Sequence, residues 1–326
     1  MIHFVATRPH RYTLRRLLRG ELGSVRFRHR FWSYERLINT VTLPTGTWIF
    51  LDIERLTDHE SFIAGAIATR LESSGAKVLN HPAHVLDRYG LQRALYRRGI
   101  NTFETFRADE HRYPNQWPVF VRPASDHKEH DGELLYDADQ LDSALYAWQR
   151  AGVPLRCLLI IEYCGEPATD GLWRKYSAYR VGDELIPHHI VKQNGWVAKF
   201  GDFGGTPGKA LMQAVREEEY GYVYGPDDRY LVRHAFDAGH IEFGRIDHGV
   251  VDGRAEVYEI NTNPMIGDFS DNTDLYPELP RQPMVAYANG RILNALKHLD
   301  TKGPGRVSVR DLNFRRSIPF LRKKRR

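Results

Sequence analysis

Cysteine is scarce: the 326 residues include two, Cys157 and Cys164. Two thiols are too few for a disulfide framework or a cysteine-built metal centre, so a reducing cytoplasm is the simplest expected setting. Long apolar runs are missing too. No stretch approaches the roughly 20 residues a bilayer span requires. The opening MIHFVATRPHRY lacks the apolar core and small-residue cleavage site of a secretion signal. There is no internal repeat, no low-complexity block and no HExxH zinc motif; the histidines of HKEH (127–130) stand one residue closer than that motif needs. What remains is 42 % hydrophobic and 27 % charged, a balance for a globular chain of two or three packed units.

The charge is unevenly spread. Residues 1–36 carry nine arginines against Glu21 and Glu35, and residues 302–326 carry ten Lys/Arg against Asp311. The total is +5, so the stretch between is net acidic. Basic ends can dock on that body, stay solvated, or meet a polyanion or acidic membrane surface. Aromatic residues are thin in the tail, with Phe314 and Phe320, so nucleic-acid binding is not its first reading.

Hydrophobic patterning predicts a strand over 47–53 (TWIFLDI), a helix over 58–75 with Asp58 or Ser61 as N-cap, and a strand over 76–80. That order suggests a parallel α/β unit. Helices are expected at 83–98, with Gly99 closing the end, and at 137–152. Strands are expected at 117–125, stopped by Pro123, at 156–164, and as a pair over 174–193 turning at Gly182-Asp183. Residues 207–225 begin helical and turn aromatic and Gly-rich. A short helix and a hairpin fill 231–264, and a last helix covers 283–299. Gly303, Pro304 and Gly305 break it before the basic tail.

The hairpin carries the chemistry. Asp252-Gly253 between alternating strands is a turn signal. A three-residue loop, Val251–Gly253, would set Val250 opposite Arg254, Arg245 opposite Glu259 and Asp247 opposite Val257. Side chains alternate along a strand, so Arg245, Asp247, Glu259 and Asn261 would share one face. A two-residue loop would send Arg245 and Asp247 to the other face. One arginine, two carboxylates and an amide form either a solvated sheet face laced by an ion pair or a site of hard oxygen donors suited to Mg²⁺ and phosphates.

RID at 245–247 and EIN at 259–261 resemble the C-terminal signature of the ATP-grasp superfamily, which includes D-alanine–D-alanine ligases and glutathione synthetases. The resemblance runs over about residues 80–270. It implies that Asp247, Glu259 and Asn261 hold magnesium on the phosphates of ATP, with manganese as the alternative ion. Arg245 would then face the reacting acyl phosphate. WPVFVRP (117–123) resembles the strand bearing a phosphate-binding lysine, with Arg122 in that place. IIEYC (160–164) resembles the hinge, where Glu162 would meet the adenine amino group and the backbone of Tyr163 and Cys164 the purine edge. Asp170 sits where a ribose-binding acid is found. RKYSAYRVG (174–182) resembles a strand giving a cation to the phosphates, Lys175 ahead of Arg174. Lys199, in GWVAKFGDFGG, is a further candidate for the phosphates or an acceptor carboxylate. One departure is the phosphate loop SDHKEHDG (125–132). It holds one glycine, Gly132, where backbone N–H groups normally reach phosphates, so His127, Lys128 and His130 would substitute.

The implied fold is an α/β (α+β) ATP-grasp arrangement: an N-terminal α/β domain (1–84), a small lobe (85–160), a C-terminal lobe with the metal site (161–301) and a basic tail (302–326). The implied activity joins a carboxylate to an amine through an acyl phosphate, on small-molecule or peptide-like substrates. The alternatives are a kinase on the same scaffold, or a protein that keeps the fold and has lost turnover. The first 80 residues and 265–282 would line the acceptor pocket.

Overall fold

A computed structural model describes residues 1–125, 132–197, 203–204, 208–225, 230–266, 280–301, 303, 305–310 and 312. The chain opens with β1 (Ile2–Ala6), the short helix α1 (Arg15–Leu18), β2 (His29–Ser33), α2 (Tyr34–Asn39), β3 (Thr42–Pro44) and β4 (Thr47–Phe50). Helix α3 (Asp58–Ser73) and β5 (Lys77–Leu79) follow. Strands β2-β1-β4-β5 pair in that order, all parallel. A parallel sheet buried on both faces needs apolar residues at successive positions. Ile2, Phe4 and Ile49 face one core, and Val5, Trp48 and Phe50 the other. Helix α3 covers the second face with Ile63 and Ile67. Its N-cap is Thr57, not Asp58 or Ser61. Thr57 Oγ1 accepts from the Glu60 N–H at 3.3 Å while the Glu60 carboxylate accepts from the Thr57 N–H at 2.9 Å, a capping box.

Helix α4 (Arg88–Arg97) starts five residues later than the expected 83, at its N-cap Asp87. Its Leu91 and Leu95 pack in the core of the C-terminal sheet, which takes this segment out of the expected small lobe. That lobe is β6 (Thr105–Arg107), β7 (Val119–Pro123), α5 (Ala138–Arg150) and β8 (Leu158–Glu162). The strands pair β6-β8-β7, antiparallel, and Leu141 of α5 covers Phe106, Val121 and Ile160.

The C-terminal sheet runs β10-β9-β11-β12, from β9 (Trp173–Val181), β10 (Glu184–Gln193), β11 (Phe243–Val251) and β12 (Arg254–Asn261). Helix α6 (Lys209–Tyr224) continues through the aromatic, Gly-containing end of the stretch expected to begin helical. Helices α7 (Tyr230–Ala238) and α8 (Arg281–Leu299) complete the lobe. Met284, Ile292 and Leu296 of α8 pack with Phe4 and Ile49 of the first sheet and Tyr179 and Phe243 of the last, so the two sheets share one core. The first residues of the basic tail do not stay solvated. Arg306–Ser308 form β13, antiparallel to β3, and bury Val307 against Trp48 and α3. No helix among the described residues is long and apolar enough to cross a membrane.

Candidate active site

The β11–β12 turn differs from the expected one. Val251 pairs with Arg254, which leaves a two-residue loop in which Asp252 (φ 49°) and Gly253 (φ 74°) are both left-handed. That is the primed turn whose twist matches the flanking strands. Alone, it would place Arg245 and Asp247 away from Glu259 and Asn261. A β-bulge at Tyr258 reverses the outcome: His248 pairs with Val257, Asp247 with Glu259, and Arg245 with Asn261. One extra residue in a strand flips every side chain beyond it. The four polar residues share a face as expected, by a different register.

Side chains lock the bulge. Gln92 of α4 donates from Nε2 to the carbonyls of Tyr258 (2.5 Å) and Val257 (3.1 Å). Asn101 accepts from the Val257 N–H at 2.9 Å, and its Nδ2 donates to the Val257 carbonyl and to Gln92 Oε1, each at 2.9 Å. These amides satisfy backbone groups of β12, the edge strand of its sheet, at and beside the bulge, as buried backbone groups require. Gly249 completes the fit, because a Cβ there would stand 1.9 Å from the Tyr258 hydroxyl.

The shared face is dense in charge. Arg245 donates from Nε and Nη2 to the two oxygens of Asp247 at 2.9 and 3.0 Å. Ser177 donates to Asp247 at 2.7 Å, and Lys175 Nζ lies 3.9 Å away. Arg88, the first residue of α4, donates to Glu259 at 2.8 Å and to the Ala124 carbonyl at 2.9 Å. Burial opposes ionisation of Glu259, yet Arg88, Arg122 and Lys175 outweigh it and bring its pKa down to about 2. The Asp247 carboxylate helps hold Arg245 charged in its buried place. Asn261 Oδ1 accepts from the Asn263 N–H at 2.8 Å. Asn263 in turn donates to Asp52 at 2.8 Å and accepts from Thr13 at 2.7 Å, which ties the end of β12 to the first sheet.

Residues of β12 line two cavities, Tyr258 the first and Glu259 the second. A cleft of about 740 Å³ lies between the small lobe and the C-terminal sheet. Its walls include Phe120, Tyr163, Trp173, Trp196 and Tyr258, with Arg122 and Lys175 at the polar end. Trp196 packs against Phe120 and Tyr163 with ring centroids 5.3 Å apart in each case. The second cavity, about 1290 Å³, is bounded by Glu54 and Ser61 of the first unit, Ala124, Arg88 and Glu259.

The other expected residues have partners of their own. The Glu162 carboxylate accepts from the backbone N–H groups of Glu104 (2.8 Å), Asn115 (2.8 Å) and Gln116 (2.9 Å), so it clamps the small lobe, and Glu162 also lines the cleft. The Tyr163 N–H donates to the Pro118 carbonyl at 2.9 Å, and Tyr163 and Cys164 both line the cleft. Asp170 binds Arg174 through both oxygens, at 2.8 and 2.7 Å, and that partner lowers its pKa to about 2. Arg174 also holds Glu218, with Nε at 2.9 Å. Asp170 is therefore engaged with Arg174, and Lys175 of β9 lies 3.9 Å from Asp247. Lys199 and most of the SDHKEHDG loop lie outside the described residues. Arg88, Gln92, Asn101, Ser177 and the cleft residues Trp173 and Trp196 were not singled out from sequence. Arg88 had one local signal, its place just after the N-cap Asp87 in the segment linking the lobes.

Among the described residues no group of three or more His, Cys, Asp or Glu gathers to hold a metal. The all-oxygen set of Asp247, Glu259 and Asn261 still suits magnesium, which commonly takes one or two carboxylates and completes its shell with water and phosphate. Each carboxylate also carries an arginine that an ion must share or displace.

No protein-family model matches the chain, and no curated protein matches it. Similar solved structures include D-alanine–D-alanine ligase from Bacillus anthracis complexed with ATP, 14 % identical with a TM-score of 0.45, covering 90 % of this chain and 98 % of that one. L-amino acid ligase from Bacillus licheniformis is 11 % identical with a TM-score of 0.46, covering 94 % and 78 %. The ATP-grasp ligase PsnB, complexed with minimal precursor, is 13 % identical with a TM-score of 0.48, covering 90 % and 99 %. What these proteins share with this chain is a resemblance of fold.

Proposed function

We propose that the chain is an ATP-dependent ligase that activates a carboxylate as an acyl phosphate and transfers the acyl group to an amine. The observation that carries this reading is the set Arg245, Asp247, Glu259 and Asn261, brought to one strand face by the bulge, with Glu259 in the wall of the second cavity. The aromatic cleft takes the nucleotide base by stacking and, at its edge, by the backbone of Cys164. Arg122 and Lys175 meet the phosphates. The second cavity, walled by the N-terminal unit, takes the carboxylate and amine substrates.

Asp247, Glu259 and Asn261 would hold magnesium, whose charge neutralises and orients the phosphates. The chain's own residues do the rest. A substrate carboxylate oxygen attacks the γ-phosphorus; the bond to the bridging oxygen breaks and ADP leaves. The amine then attacks the acyl carbon and phosphate leaves. Arg245, fixed by Asp247 in a bidentate pair, stabilises the charge that develops on the acyl oxygen without reorganising. Removing such a donor costs about 10²–10³ in rate.

The test is product analysis with Mg-ATP and pools of carboxylates and amines. ADP and free phosphate that both depend on a carboxylate–amine pair are expected. Arg245→Met should lower turnover by about 10²–10³ with little change in nucleotide affinity. A phosphorylated substrate without free phosphate would replace the ligase with a kinase, and no turnover with any pair would contradict both.

A further inference from the structure

Two carboxylates face four cations at this site. Asp247 is paired with Arg245 and lies 3.9 Å from Lys175, while Glu259 is paired with Arg88 and lies in the field of Arg122 and Lys175. The set is net positive before any divalent ion enters it. A free Mg²⁺ therefore meets repulsion, and a nucleoside triphosphate, with charge near −4 at neutral pH, reverses the sign.

The contacts are unequal. Arg245 and Asp247 sit two residues apart on one strand and make two parallel bonds, a pairing the strand itself preorganises. Arg88 reaches Glu259 from another element, at 2.8 Å, and also donates to the Ala124 carbonyl, at the root of the polar loop that begins at Ser125. The Arg88 side chain keeps 10 % of its surface exposed and that of Glu259 27 %, so a phosphate can approach the pair from the second cavity. A cation at Glu259 competes with Arg88 for the same carboxylate, and a polyphosphate competes with Glu259 for the same guanidinium.

We propose that Arg88 sets the order of binding: its guanidinium keeps Glu259 from ligating a divalent cation until a polyphosphate draws it away. This rests on the ligase reading for the metal role of Glu259. It makes Arg88 a positioning residue, coupling the linker helix and the root of the 125–132 loop to the metal carboxylate. Metal and nucleotide then bind with positive coupling, and the coupling resides in one side chain.

The experiment is Mn²⁺ binding to the full chain, read by electron paramagnetic resonance, with and without a non-hydrolysable ATP analogue. Wild type should bind free Mn²⁺ weakly, and the analogue should tighten it strongly. Arg88→Met should raise the affinity for free Mn²⁺ by about tenfold or more, since a unit charge beside the site is removed. Arg88→Lys, which keeps the charge, should bind free Mn²⁺ as wild type does. Arg88→Met combined with Glu259→Gln should lose the gain, which locates it at Glu259. Free Mn²⁺ that binds wild type as tightly as it does with the analogue would overturn the proposal, as would no gain in a folded Arg88→Met protein. Failure of the metal–nucleotide site on which the proposal rests is separately visible, because wild type would then not bind the analogue at all.

Discussion

Glu259 is surrounded by positive charge, and its behaviour with pH follows from that. Its folded pKa, about 2, lies below its ordinary value of 4.5. A depressed carboxylate binds protons more tightly in the unfolded chain. Its stabilising contribution is therefore complete above about pH 4.5 and is lost as pH falls towards 2. Glu259→Gln should flatten the acid limb of a urea-midpoint titration between those values. An unchanged acid limb would mean that the Arg88 pair adds nothing to folding. At the same scale Glu162 shows where sequence stops informing. An acid at the end of an apolar strand is visible as an acid, but nothing local says that three N–H groups of residues 104–116 converge on it. Its partners are set by how two loops of the small lobe close, which is a tertiary fact.

The decisive element is the β11–β12 hairpin. Turn signal, strand alternation and the shared polar face were all legible from residues 245–261, and the register was not. The bulge is held from outside the hairpin: Gln92 and Asn101 bond the backbone of Val257 and Tyr258. Gln92→Leu should take the donor from the Tyr258 carbonyl and leave the Val257 carbonyl with Asn101 alone. It should lower stability by about 1–3 kcal/mol in chemical denaturation, and should weaken nucleotide binding by more than the unfolded fraction explains. If Gln92→Leu binds nucleotide normally, the bulge does not depend on this clamp. Helix α3 teaches a smaller lesson. Several residues before it can serve as caps, and the one whose reciprocal partner sits three positions on, Thr57 with Glu60, is the cap observed.

Across the whole molecule the parallel N-terminal sheet and the antiparallel C-terminal sheet are welded through α8, and β13 returns to close the first unit. Basic composition alone hid that return. Residues 306–309 sit inside a basic tail but alternate exposed and buried, with Val307 and Val309 in the core. Val307→Asp should cost more than about 2 kcal/mol, because it buries a charge without a partner; a melting temperature unchanged from wild type would show that β13 is dispensable. The arginines near the N-terminus are likewise partly used within the fold. Arg28 grips Asp300 at 2.9 Å, and Arg30 and Arg36 lie over Trp32. Buried histidines set a second pH limit. Burial lowers His3 to about 4 and His188 to about 3, both from 6.5. Each is neutral when folded and gains its proton more readily when unfolded. Stability is therefore full above pH 6.5 and falls as pH drops below it. Urea midpoints should decline from pH 7 to 5, ahead of carboxylate titration, and a flat profile over that range would contradict this.

The central claim is that Asp247, Glu259 and Asn261 form a metal–nucleotide site. It is tested most directly by calorimetry of ATP binding with and without magnesium, on wild type and on Glu259→Gln. The account predicts micromolar binding that requires magnesium and collapses in the variant. No binding by wild type, or binding indifferent to both magnesium and Glu259, would contradict it.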